Sequence, residues 1–236
     1  MAFVKTHVAC PLCGGSDPAA INEDGSAKCF SCGGFIPNYK AAMDGIVTDI
    51  ATYQRIKMDD SNTQGEFYAL TDRGISLDTA KKYGVRSVKD QKGNIHAHSY
   101  PYYVNNEVAG YKVRKVADKG FLWQGSPRGT GLFGSQAFQQ GGKYITIVEG
   151  ECDAMAAYEM MGSKWPVVSV KNGAQGADRD VKEGLEFLES FDNVVICFDN
   201  DKPGRGESCQ VAGIIKPGKS LVGPLPVEVK DANYML

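Results

Sequence analysis

Two apolar runs in this 236-residue chain end in clusters of carboxylates. Tyr144-Ile-Thr-Ile-Val148 leads into Glu149-Gly-Glu151-Cys-Asp153, and Val194-Val-Ile-Cys-Phe198 leads into Asp199-Asn-Asp201. An open parallel sheet delivers polar residues at the carboxyl ends of its strands, where ligands bind. Crowded carboxylates raise one another's pKa, so several at one edge need a cation to stay ionised together. Oxygen ligands of this kind suit Mg2+, which keeps waters and takes substrate phosphates. An acid at a strand end can instead cap the next helix. Two clusters in matching contexts and in order favour the metal site.

A second set of ligand types opens the chain. Cys10-Pro-Leu-Cys13 and Cys29-Phe-Ser-Cys32 form two C-x2-C pairs with fifteen residues between them. Four thiolates satisfy a tetrahedral Zn2+ completely, which makes the metal structural and closed to substrate. Gly14-Gly15 and Gly33-Gly34 follow the pairs, where tight turns need positive φ. About forty residues cannot fold on an apolar core alone, so the metal would supply the folding energy. A redox role for one C-x2-C is the competing reading, but redox motifs do not come as a spaced pair. Cys152, Cys197 and Cys209 read as packing residues.

The elements that must position these groups follow from pattern. Residues 1–40 read as the zinc module and 41–65 as a linker, with a short ordered element near Ile46 to Ile56 and a polar loop at Asp59–Gly65. Ser76 to Tyr83 before Gly84 predicts a short capped helix. His96–Val104 and Val108–Val116 flank Asn105-Asn106, a hairpin signal. Lys112 and Arg114 share one face of the second strand and could hold a triphosphate, although charges on a solvated face are the more ordinary reading. His96 and His98 are expected on the surface. From Lys143 the order is strand, acidic turn, helix (Ala154–Met161), strand (Val167–Val170), loop Asn172–Gly176, helix near Asp180–Glu189, strand 194–198, turn, then a helix opening at Pro203. That alternation predicts a parallel sheet with right-handed crossovers. The fold class is therefore α/β: a parallel sheet flanked by helices over 143–236, a mixed α+β subdomain over 66–142, and a small zinc ribbon in front. Gly213-Ile-Ile-Lys-Pro-Gly-Lys219-Ser220 satisfies the P-loop pattern letter for letter, yet it follows a helix and enters a proline-rich segment. It is read as a decoy.

Net charge is only −2, but it is unevenly distributed. Residues 66 to 145 carry 12 Lys and Arg against 6 Asp and Glu, while residues 146 to 236 carry 9 against 15. A basic surface beside an acidic, cation-binding one would gather phosphates and then place them on metal. No apolar stretch of about 18 residues and no signal-peptide core occurs, which predicts no membrane role and a cytoplasmic location.

Glu149-Gly-Glu-x-Asp153 with Asp199-x-Asp201-x-x-Gly204-Arg205 resembles the Toprim signature of primases, topoisomerases and some nucleases. The four-cysteine module in front, followed by Tyr68-Ala-Leu-Thr-x-Arg-Gly-Ile75, Lys112-Val-Arg114 and Lys230-Asp-Ala-Asn233, narrows the likeness. Over nearly its whole length the chain resembles the primase half of T-seven-like bacteriophage primase-helicases. The resemblance implies a zinc domain that reads a short template sequence, and an RNA polymerase domain that makes short primers on single-stranded DNA from ribonucleoside triphosphates. It implies that Glu149, Asp199 and Asp201 are catalytic and bind Mg2+ together with Asp231, with Glu149 also the candidate base. Lys112, Arg114 and Arg205 would bind nucleotide, and Cys10, Cys13, Cys29 and Cys32 would hold Zn2+. A replicative helicase and a DNA polymerase are the implied protein partners, in the host cytoplasm. Three departures stand out. The helicase half is missing, so an excised fragment or a stand-alone primase is expected. Gly25-Ser-Ala-Lys28 lacks the base-reading histidine the family can place there, and Asn200 makes the second acidic motif less acidic than in typical relatives. The alternatives are a non-catalytic zinc/Toprim recombination scaffold and a metal-dependent Toprim nuclease.

Overall fold

The computed structural model describes residues 3–11, 15–30, 35–36, 38–44, 65–117 and 120–236. Cys13, Cys32 and the ordered element expected near Ile46 to Ile56 lie outside the described residues. The chain divides into two units, 1–61 with 123–126, and 62–122 with 127–236.

The first unit is built on four short antiparallel strands in chain order: β1 (Phe3–Val8), β2 (Ala19–Asn22), β3 (Ala27–Cys29) and β4 (Phe35–Ile36). A five-residue helix, α1 (Tyr39–Met43), follows, capped by the Asn38 side chain on the Ala41 N–H. Cys10 and Cys29 are buried in one small cluster with Val8, Ala19, Ala27 and Ile36. The Cys10 N–H donates to the Gly15 carbonyl at 2.8 Å.

The second unit begins with the predicted capped helix, α2 (Leu77–Tyr83). Ser76 accepts from the Thr79 N–H, and Gly84 ends the helix at φ 75°, a conformation glycine adopts without strain. An antiparallel sheet follows: β5 (Arg86–Lys89), β6 (Ile95–Val104) and β7 (Glu107–Lys115), with Phe121 opening β8 (Phe121–Gly125). The hairpin turn sits at Asn105-Asn106, both at positive φ (51° and 65°), as the two-residue turn requires.

The rest is a four-stranded parallel sheet. Its strands are β9 (Gly142–Val148), β10 (Val167–Ser169), β11 (Phe191–Ile196) and β12 (Ser220–Val222), in the order β10-β9-β11-β12. The connecting helices are α3 (Glu151–Met160), α4 (Ala177–Glu183), α5 (Leu185–Glu189) and α6 (Lys202–Ile214). Ile145, Ile147, Val168, Val194 and Ile196 bury the sheet against Val181, Leu188 and Val211. The single helix expected near Asp180–Glu189 is two, broken at Gly184, where a Cβ would meet the Leu132 side chain at 2.7 Å. The P-loop look-alike is structurally a helix end, a turn and β12. Its Lys219 Nζ donates to the Glu189 and Phe191 carbonyls at 2.6 and 2.7 Å, a structural use that leaves no phosphate cradle.

An aromatic layer joins the antiparallel sheet to the parallel one. Tyr83 stacks on Phe133 at 5.5 Å, and Tyr100 and Tyr102 pack on the same ring. The Phe133 backbone pairs with Ser169 at the edge of β10. Phe133 is fully buried, so Phe133→Ala is expected to cost about 3–5 kcal/mol, read as a lowered urea midpoint. His98, expected on the surface, is wholly buried; its ring bonds Ser87 Oγ and Asp72 Oδ1, both at 2.8 Å. The strand is not half solvated, because Asp72 closes over His98 and Arg114 while Phe133 and the first residues of α3 meet Tyr100 and Tyr102, and alternation alone cannot reveal that. His96 is exposed as expected. Among the described residues no helix is long and apolar enough to cross a membrane.

Candidate metal and nucleotide site

The order β10-β9-β11-β12 has a switch point between β9 and β11. From β9 the chain moves one way to β10, then returns across to β11, and the connections diverge at the carboxyl ends of this central pair. Glu149 directly follows β9, and Asp199 and Asp201 follow β11. Asp231 comes in after β12 and caps the final turn, Ala232–Met235, by accepting from the Tyr234 N–H at 2.8 Å. That turn returns a donor to the first cluster: the Asn233 N–H bonds Asp153 Oδ1 at 2.9 Å.

The carboxylates have unequal surroundings. Glu149 Oε1 accepts from the Ala174 N–H at 3.1 Å, while its Oε2 is buried and has no hydrogen-bond partner among the described residues. Burial pushes the Glu149 pKa up, the Ala174 N–H opposes that, and Asp201 adds to it. Asp153 is raised to about 6, by burial first and then by Asp231, Glu151 and Glu149. Asp199 is raised to about 7, by burial and then by Asp153, Glu149, Asp231 and Asp201. Asp201 is spoken for by one bond, accepting from the Gly204 N–H at 2.8 Å as the cap of α6. Both readings of the strand-end acids therefore apply at once, capping for Asp201 and a crowded anionic set for the group.

The open Glu149 oxygen and the mutual repulsion of these acids are what a divalent cation would relieve, and their all-oxygen chemistry is of the kind Mg2+ takes, but among the described residues no three such side chains are drawn together into a formed cation site. A stability prediction follows from the raised values. The folded state holds protons on Asp153 and Asp199 that the unfolded chain releases near 3.8. Their stabilisation is complete below pH 3.8 and is lost as pH rises through about 6 and 7. In chelator the melting temperature should therefore fall between pH 5 and 8, and added Mg2+ should raise it more at pH 8 than at pH 5. A chelator-insensitive melting profile across that range would contradict the site.

Of the two cations on β7, Lys112 reaches the acidic edge through Glu151, whereas Arg114 lies by Asp72 and opposite His98. Lys112 and Arg114 share the buried face, opposite Tyr100 and His98 on β6. Lys112 Nζ donates to Glu151 Oε1 at 2.7 Å and to the Lys171 carbonyl at 2.8 Å, and lies 4.6 Å from the centre of the Phe121 ring. Tyr102 donates its hydroxyl to the same Glu151 oxygen at 2.6 Å. Glu151 thus serves to hold Lys112. Arg114 Nη1 lies 3.8 Å from Asp72 Oδ2, and is buried without a hydrogen-bond partner among the described residues. Arg205 is exposed on α6 and bonds Asn200 Oδ1 at 3.1 Å.

Sequence reasoning missed Tyr102, Lys171 and Asp180. The rule that found the acids, that polar residues at strand carboxyl ends face the ligand edge, applies equally to the loop after β10. Of the cysteines read as packing residues, Cys152 contacts the Tyr100 hydroxyl at 3.2 Å and burial pushes its thiol to about 11, whereas Cys209 is exposed.

A parallel sheet with acids at its switch point defines a Toprim-type α/β protein, and residues 146–236 match the family described as Toprim-like. The likeness to solved structures extends beyond that domain. The primase fragment of the bacteriophage T7 primase-helicase protein aligns with 99% of this chain and 94% of its own at 30% identity, with a TM-score of 0.66. A structure of the T7 lagging-strand DNA polymerase interacting with primase domains of two subunits, bound to an RNA/DNA hybrid and dTTP, aligns at 35% identity over 72% of this chain and 84% of that one, with a TM-score of 0.64. The chain belongs to the family of primase fragments of T7-like phage primase-helicases. The DNA helicase/primase of Enterobacteria phage T3 is 32% identical over 234 residues, and the chain spans 40% of that relative's length. Membership of a Toprim primase family implies use of a divalent metal.

Proposed function

We propose that this protein is a DNA primase that makes short RNA primers on single-stranded DNA by nucleotidyl transfer. The observation that carries the proposal is the convergence of Glu149, Asp199 and Asp201 at the switch point, with Lys112 presented to them from the neighbouring sheet. Glu149, Asp199, Asp201 and Asp231 would hold Mg2+, which when bound would stabilise the attacking and leaving oxygens of an in-line displacement. Lys112 meets the triphosphate of the incoming ribonucleotide. Arg114, whose buried Nη1 is ion-paired with Asp72 but makes no hydrogen bond among the described residues, supports it from the same face, and Arg205 contributes from the rim of α6. Glu149, directly after β9, is also the candidate base for the proton of the attacking 3'-hydroxyl. The first condensation depends most on these contacts, because two separate nucleotides must be aligned before a primer exists.

Cys10, Cys13, Cys29 and Cys32 are proposed to hold a structural Zn2+. What supports this is the burial of Cys10 and Cys29 in one cluster within a unit whose apolar core is very small. By residue range, we propose 1–40 as the template-reading zinc module, 41–65 as a linker and 66–236 as the RNA polymerase domain, with its two subdomains meeting near residue 142. The proposed partners are a single-stranded DNA template, ribonucleoside triphosphates, a replicative helicase and a DNA polymerase, the last by analogy with the T7 complex.

The test is incubation with Mg2+, ribonucleotides labelled at the α-phosphate, and a pool of single-stranded DNA templates. Short labelled oligonucleotides are expected, and sequencing the productive templates gives the recognition sequence. Bound, intact DNA without product would replace the proposal with a scaffold, and shortened DNA with a nuclease.

A further inference from the structure

The loop that leaves β10, Lys171–Gly176, touches both halves of the site. Its Lys171 carbonyl accepts from Lys112 Nζ at 2.8 Å, and its Ala174 N–H donates to Glu149 Oε1 at 3.1 Å. One loop thus sets the spacing between a carboxylate of the acidic set and the cation that faces it.

That loop is held from beneath by a single carboxylate. Asp180, on α4, is fully buried. Its Oδ2 accepts from the Lys171 N–H and the Asn172 N–H, both at 2.9 Å, and from Asn172 Nδ2 at 3.1 Å; its Oδ1 accepts from Asn172 Nδ2 at 2.9 Å. Lys171 Nζ lies 3.9 Å from Asp180 Oδ1, is paired with Glu183, and reaches Thr130 Oγ1 at 3.5 Å, so the buried carboxylate has a buried counter-charge. The loop's own backbone leaves little room for another path. Gly173 has φ 67° and ψ −171°, a region closed to other residues, and a Cβ at Gly176 would meet the Asn172 Cβ at 2.6 Å. Burying an acid costs free energy unless its hydrogen bonds are made, and here four of them go to one two-residue stretch. None reaches the acidic set directly.

We propose that Asp180 is a positioning residue for nucleotide binding, fixing the Lys171–Gly176 loop so that the Lys171 carbonyl holds Lys112 where the triphosphate needs it. The inference rests on the primase reading for the identity of the ligand, but its consequence is a coupling between Asp180 and Lys112 that can be measured without catalysis. Removing the carboxylate frees the Lys171 carbonyl to move, and Lys112 moves with it; once Lys112 has lost its amine, the loop has no cation left to misplace.

The test is calorimetric titration of ATP in Mg2+ into wild type, Asp180→Asn, Lys112→Ala and the double variant, each checked for folding by circular dichroism. Asp180→Asn should weaken ATP binding about tenfold in the wild-type background and less than about twofold in the Lys112→Ala background. In primer synthesis the same variant should raise the nucleotide KM more than it lowers kcat, which general destabilisation would not do. Asn172→Ala removes only an exposed side chain and two of the four bonds, and should weaken ATP binding about two- to threefold with the same dependence on Lys112; it decides the matter if Asp180→Asn does not fold. Equal losses in both backgrounds, or unchanged ATP binding, overturn the proposal. If wild type binds ATP but makes no primers, the primase reading fails while the coupling still stands or falls on the titrations. Wild type that does not bind ATP overturns both.

Discussion

Glu149→Gln is expected to abolish primer synthesis, by at least about a thousandfold, while leaving a folded protein. The change keeps the size and shape of the side chain and an oxygen for the Ala174 N–H. What it removes is the negative charge and the second acceptor, the buried Oε2 that has no hydrogen-bond partner among the described residues. A native structure leaves a buried carboxylate oxygen unpaired only at a cost of order 1–3 kcal/mol or more, unless a ligand completes it. The loss should therefore appear as lost Mg2+ response. In chelator at pH 8 the variant should melt no lower than wild type, because one charge has left a crowded set; with Mg2+ the wild type should rise and the variant should rise less. A substitution that merely loosened the fold would lower both melting curves. Primer synthesis at wild-type rates would mean that the metal and the base lie elsewhere.

The acids were legible because a run such as Tyr144–Val148 reports a buried strand, and the residues at its carboxyl end must face the ligand edge whatever the tertiary detail. Their pairing across one crevice was legible only as an expectation. That Glu149 and Asp199 stand beside each other depends on the order β10-β9-β11-β12, which is set by which helices cover which faces and not by any local pattern. The Lys112 and Arg114 face shows the opposite limit. Alternation placed them together correctly, but could not say that Asp72 and the aromatic layer close that face, and so left a solvated strand as the more ordinary reading. His98 was misread for the same reason. Asp180 carried no signal at all: a mid-helix acid four residues past a glycine-rich loop is ordinary in sequence, and its role comes from a fold that curls the loop back over it. The four-cysteine spacing lies at the other extreme as an expectation, since the proposed ligands are themselves the motif; of the four, Cys10 and Cys29 are described, buried in one cluster.

Two glycines on one helix separate what the site requires from what the helix requires. Gly204 and Gly206 both lie within α6, where replacing glycine by alanine ordinarily stabilises by about 1 kcal/mol through lost freedom of the unfolded chain. Gly206 has open space where a Cβ would stand, so Gly206→Ala should raise the melting temperature by a few degrees and leave primer synthesis unchanged. Gly204 is buried, and a Cβ there would lie 2.3 Å from the Asp199 carbonyl oxygen and 3.1 Å from the Asp199 carbonyl carbon and amide nitrogen. Those are backbone atoms, with no flexible end to swing aside. Either α6 backs away, breaking the Gly204 N–H bond to Asp201, or Asp199 is driven from its place beside Glu149 and Asp153. Overpacking of this kind costs about 1–3 kcal/mol, enough to reverse the usual sign of the substitution. Its effect on chemistry should be larger than on stability, because displacing a reacting constellation by about 1 Å costs on the order of a hundredfold in rate. Gly204→Ala is thus expected to melt below wild type and to make about one hundredth of the primer, with Mg2+ raising its melting temperature less. The glycine in the Asp199-x-Asp201-x-x-Gly204 motif is explained on this account by the closeness of α6 to the strand end, and normal synthesis by Gly204→Ala would remove that explanation.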